Sequence, residues 1–145
     1  MPGAPLLLPL LLVPLAAAVV LALVGDRKRA PEINILGSAA TFAAGLGLAL
    51  QVYERGSFMA GGNFFFVDAF NIYLAVLTAF VSMTTAIFSR RYMRREREHG
   101  RVGHVGMRFY HAMFQLFIFG IFFFHINATF ESLDVEQMAH LKEND

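Results

Sequence analysis

Four stretches of about twenty residues without Asp, Glu, Lys or Arg divide this chain, and each has the length a helix needs to cross roughly 30 Å of hydrocarbon. The first runs from about Ala4 to Val24 and the second from Ile33 to Tyr53. The third lies between Asp68 and Arg90, and the fourth between Arg108 and Glu131, apolar from Phe109 to about Ile126. Tilted barrel strands are about half as long and alternate in polarity, which these runs do not. The expected fold class is therefore an all-α membrane protein of four transmembrane helices over residues 1–126, followed by an acidic polar tail at 127–145.

Composition narrows what such a protein can do. Charged residues make up only 16% and are clustered between the apolar runs. The absence of cysteine excludes disulfides, thiolate metal sites and cysteine-held iron–sulfur clusters. A net charge of +1 gives no case for nucleic acid as a partner. No cofactor or metal is expected. The first run is not a signal peptide, because Arg27, Lys28 and Arg29 follow it where a signal peptide has its basic residues in front. Pro9 and Pro14 each remove a helix hydrogen bond, so this span is expected to bend or to start irregularly.

Orientation follows from the basic residues. Three sit in the first loop and seven in the third, namely Arg90, Arg91, Arg94, Arg95, Arg97, Arg101 and Arg108, so that ten of twelve fall on one side. The positive-inside rule puts the loops at 25–32 and 90–108 in the cytoplasm and both termini outside, in a bacterial or archaeal cytoplasmic (inner) membrane. Arg90, Arg91, Arg94, Arg95 and Arg97 are candidate topology determinants that can also hold anionic lipid head groups. His99 and His104 fall in this hydrated segment.

Two kinds of stripe mark the spans. Gly37, Thr41, Gly45 and Ala49 recur every four residues on the second span, a seam that lets a neighbouring backbone approach. On the third, Asn71, Thr78, Ser82, Thr85 and Ser89 share a helical face that either bonds to other helices or lines water. Asp68 stands at the start of that helix, where an N-cap is the ordinary role and a proton path the rarer one. On the fourth span His111, Gln115 and His125 lie along one stripe with Ile118 and Phe122. Ionisable residues at membrane depth are expensive and usually face a protein interior or a wet cavity, although an imidazole at the head-group boundary costs little. The candidate proton-path or helix-interface residues are accordingly Asp68, Thr78, Ser82, Thr85, His111, Gln115 and His125.

The order of these features is similar to that of a known family. FFFVDAFNIYLAVLTAFVSMTTAIFSRRYMRREREHG, residues 64–100, resembles the third helix and following loop of antiporter-like membrane subunits of the complex I and membrane-bound [NiFe] hydrogenase superfamily. RFYHAMFQLFIFGIFF, residues 108–123, resembles their fourth helix, with the nearest likeness to the hydrogenase-4 component F type. Asp68, the helix exit from Ser89 to Tyr92, the run Arg95 to Gly100 and Tyr110-His111 carry the match. The first two spans fit by position and hydropathy.

The resemblance implies the first four helices of a fold of about fourteen, arranged around a chain of buried charges. Proton transfer in the family depends on a glutamate in the fifth helix and lysines beyond it. After Asn127 this sequence departs from the expected motif, and no lysine lies in any span. The expected function is that of a truncated or split antiporter-like subunit in a redox-linked, proton-translocating hydrogenase or NADH:quinone oxidoreductase-like complex. It is not catalytic alone, and its partners are the other membrane subunits and the lipid bilayer. Two alternatives belong to other classes. One is a non-catalytic membrane assembly factor. The other is a b-type haem anchor using His111 and His125, which are fourteen residues apart, about 21 Å along a helix and about 40° from being on one line.

Overall fold

The computed structural model describes residues 4–56, 58–60, 65–126 and 142–143. Helix α1 spans Ala4–Val24, α2 Ala30–Arg55, α3 Ala69–Glu98 and α4 His104–Ile126, with strands β1 (Phe58–Ala60) and β2 (Phe65–Val67) between α2 and α3. All four helices are long and apolar enough to cross a membrane. Each packs against its chain neighbour, and α4 returns against α1 to close the bundle.

The helix ends have local causes. Helix α1 runs unbroken through Pro9 and Pro14, so the irregular start expected from those prolines does not occur. Pro14 is fully buried in the bundle. Helix α2 begins three residues earlier than its apolar run, with Pro31 in the first turn, where its missing N–H costs nothing, and Glu32 beside the positive helix end. Helix α3 starts at an N-cap: the Asp68 carboxylate accepts from the Asn71 backbone N–H at 2.8 Å.

Two loops differ from expectation. Residues 90–98, read as loop because they are charged, are the last two and a half turns of α3; Arg and Glu are good helix formers, so the helix outlasts the hydrocarbon. It ends where Gly100 adopts φ +69, a left-handed conformation that suits glycine. Between α2 and α3 the structure adds a short antiparallel ribbon to the all-α expectation, with Phe58 opposite Val67 and Ala60 opposite Phe65.

The interior is divided along the bundle axis. Toward the ribbon, Leu7, Leu10, Leu48, Val52, Val67, Ile72, Ala75, Ile118 and Phe122 form an apolar core. Toward the basic end, the buried positions include Asn34, Ser38, Ser82, His111 and Gln115. The small-residue seam holds at Thr41 and Gly45, which are buried, while Gly37 and Ala49 are half-buried. A Cβ added to Gly45 would stand 3.6 Å from Leu10 of α1 and 3.6 Å from Val76 of α3, so this glycine sits between two helices. At the basic end α1 and α4 come closer still. A Cβ on Gly25 would fall 2.7 Å from the Arg108 Cα, which only glycine avoids.

Candidate functional site

One buried amide ties three helices together. Gln115 of α4 donates through Nε2 to the Asn34 side-chain oxygen at 2.7 Å, to the Asn34 carbonyl at 3.2 Å and to Ser38 Oγ at 3.0 Å, both residues on α2. Ser38 Oγ lies 3.4 Å from Ser82 Oγ of α3. The hydroxyl face of α3 thus makes an interhelical bond at Ser82. An amide of two protons spread over three acceptors is a shared arrangement rather than three full bonds.

His111 sits one turn before Gln115 on the same face and is 1% exposed. Neither of its ring nitrogens, nor Gln115 Oε1, has a hydrogen-bond partner among the described residues. Polar groups buried in this way are ordinarily hydrogen-bonded, which sets the stripe apart from an apolar helix interface. His111 therefore lies in the interior of the bundle, near its basic end. The side chain of His125 lies outside the described residues.

The remaining polar residues of α3 divide. Asp68 is engaged as the N-cap. Thr78 and Thr85 line, with Ser82 and apolar residues of α3 and α4, an open groove of about 500 Å³ on the outside of the bundle. They are not brought into the Gln115 network. Ser89 bonds back to the Ala86 carbonyl within its own helix at 3.2 Å.

The basic end is a lattice of ion pairs between the loops and helix ends. Glu32 meets Arg90 at 2.6 Å and Arg94 at 3.7 Å. Asp26 accepts from Arg108 Nε at 3.0 Å, with His104 at 3.5 Å on its other oxygen. The hydrogen bond from Arg108 holds the Asp26 carboxyl below its ordinary value, against a partial desolvation that works the other way. These contacts bring the two basic loops to one end of the bundle, as an even number of crossings requires. Arg91 and Arg95 point outward and are exposed.

Sequence reasoning missed Asn34, Ser38, Glu32 and Asp26. Asn34 and Ser38 are four residues apart and flank the seam on α2, the same periodicity that marked the α3 stripe, so a signal was present. Among the described residues no cluster of His, Asp or Glu has the grouping of a metal site.

Against this geometry, the likeness to known proteins can be placed. Over 111 residues the chain is 34% identical to a hydrogenase-4 component F homolog from Methylacidiphilum infernorum (isolate V4). Over that stretch the chain is similar to that component F homolog. The match takes in 77% of this chain and 22% of that relative, so the chain spans about a fifth of the relative's length. No family model matches, and no solved structure matches. Similarity to this hydrogenase component homolog and four helices long and apolar enough to span a membrane together describe a multi-pass membrane protein.

Proposed function

We propose that this chain is a membrane subunit of a redox-linked, proton-translocating complex of the hydrogenase or NADH:quinone oxidoreductase-like kind, corresponding to the first four helices of an antiporter-like subunit. The observation that carries the reading is the 111-residue homology to hydrogenase-4 component F. Glu32 and Glu54 fall in the first and last turns of α2, and no lysine lies in a span. The fifth-helix glutamate and the lysines beyond it, which move protons in the family, fall outside these four helices. In this reading the Gln115–Asn34–Ser38–Ser82 network holds α2, α3 and α4 in register, and His111 is the titratable group beside it. The basic end faces the cytoplasm and both termini face outward, in the cytoplasmic membrane of a bacterium or archaeon.

The haem-anchor reading has less support, because an axial ligand needs a porphyrin face against its imidazole and His111 is closed over by the bundle's own side chains. An assembly factor and a subunit differ in what they accompany. A tagged chain purified in mild detergent from its native membrane should elute with the redox subunits of a mature, active complex. Elution alone, or only with immature intermediates lacking activity, would replace the subunit with an assembly factor.

A further inference from the structure

We propose that the basic end carries a built site for one anionic phospholipid, with Lys28, Arg94 and Arg97 on its phosphodiester. These side chains line a cavity of about 530 Å³ together with Pro31, Glu98 and Met107. The six residues come from the α1–α2 loop, the start of α2, the end of α3 and the start of α4, so the cavity exists only when the bundle is assembled.

Its depth suits a head group. Ser89 is the last residue of the uncharged run on α3. At about 1.5 Å per residue, Arg94 and Arg97 lie roughly 7 and 12 Å beyond it, in or at the edge of the head-group layer within reach of a long side chain.

The charge is only partly compensated. Three cations face one carboxylate, Glu98. Lys28 and Arg97 make no ion pair among the described residues, and Arg94 has only a loose one, 3.7 Å from Glu32. Glu32 is itself taken by Arg90 at 2.6 Å, an arrangement that orients Arg94 without neutralising the cavity. Guanidinium groups match phosphate oxygens in geometry as well as charge.

The apolar part of the lining selects an amphiphile over a free anion. Pro31 and Met107 supply the apolar lining of the cavity, against which the glycerol and first methylenes would rest and which inorganic phosphate does not use.

The test is native mass spectrometry of the full chain released from micelles with phosphatidylglycerol or phosphatidylcholine, compared at equal concentration. The parent should retain one phosphatidylglycerol, and K28Q/R97Q should weaken that retention about tenfold or more, since each cation near the surface contributes substantially to anionic-lipid affinity. R91Q/R95Q removes the same charge from the exposed face of α3, outside the cavity lining, and should weaken retention far less. Circular dichroism of both variants in phosphatidylcholine checks that they fold like the parent. Equal retention of the two lipids, or equal loss in the two double variants, would reduce the effect to general surface charge and overturn the site. Competition by millimolar inorganic phosphate to the same extent as by lipid would overturn the choice of ligand.

Discussion

The Gln115 amide of α4 reaches the Asn34 side chain of α2 at 2.7 Å, across 81 residues of sequence and between helices that otherwise touch little. Helices α2 and α4 are diagonal in the bundle, so this bond fixes a distance that apolar packing leaves loose. Interhelical hydrogen bonds in membranes average about 0.6 kcal/mol and reach about 1.7. Gln115→Leu and Asn34→Leu should each destabilise the chain, and the double variant should lose less than the sum. A coupling of about 0.5–1.5 kcal/mol from a double-mutant cycle of unfolding in bicelles is expected. Strictly additive losses would show that the bond contributes nothing.

Gly45 tests how closely the helices approach. An alanine there would make ordinary contacts of 3.6 Å with Leu10 and Val76, so Gly45→Ala should be tolerated. Gly45→Leu needs room that neither neighbour leaves and should cost about 1–3 kcal/mol and reduce accumulation in the membrane. Leu46 is exposed on the lipid side of the same helix, and Leu46→Ile should stay within about 0.5 kcal/mol. Equal accumulation of all three variants would mean that α1 and α3 do not meet across this residue.

Hydropathy alone located the four spans because charge is costly in hydrocarbon, and Asp68 was legible as a cap because a carboxylate before an apolar run has one good use there. The same criterion failed at Arg90–Glu98. Hydropathy marks where the membrane ends, whereas the helix ends where the backbone turns left-handed, at Gly100. The stripe of His111 and Gln115 was visible from spacing, but its partners were not. Asn34 and Ser38 carry no charge and match Gln115 only after three helices have packed, which a period of 3.6 residues cannot encode. Thr78 and Thr85 share a face with Ser82 in sequence, yet the bundle turns one residue of that face inward and leaves the others on its outer groove.

The ion pairs at the basic end predict a pH response. The Asp26 carboxyl is held below its ordinary value chiefly by the hydrogen bond from Arg108, so the folded state binds its proton less readily than the unfolded chain. The stabilisation is fully present above the ordinary Asp pKa of about 3.9 and is lost as pH falls through the lower folded value. Thermal midpoints of the parent should therefore decline on acidification below about pH 4 more steeply than those of Asp26→Asn. Superimposable profiles would remove Asp26 as a contributor. The effect is small, because the site is open to water.

Sidedness can be read without background, since the sequence has no cysteine. Glu54 at the end of α2 and Gly103 before α4 are both exposed and lie at opposite ends of the bundle. With a membrane-impermeant maleimide, Glu54→Cys should label from outside intact cells and Gly103→Cys only after lysis. Labelling of both from the same side would contradict the four-span arrangement, and a reversed pattern would overturn the inward placement of the basic end.

Ion movement follows from what stands at membrane depth. Translocation needs titratable groups whose charge can be switched within the hydrocarbon. Among the described residues, His111 is the one titratable side chain that is fully buried in the bundle. Its neighbours in the polar row are an amide and hydroxyls, which relay protons only with a donor and an acceptor at either end. Asp68 is occupied as a cap, and Asn caps a helix about as well as Asp, so Asp68→Asn isolates its charge from its structural role. The purified chain, reconstituted in vesicles with a pH-sensitive dye and an imposed sodium gradient, should leak no faster than empty vesicles. His111→Ala and Asp68→Asn should not alter that rate. Sodium-coupled alkalinisation abolished by either variant would show that four helices suffice for a path, and that the family's glutamate and lysines are not needed for it.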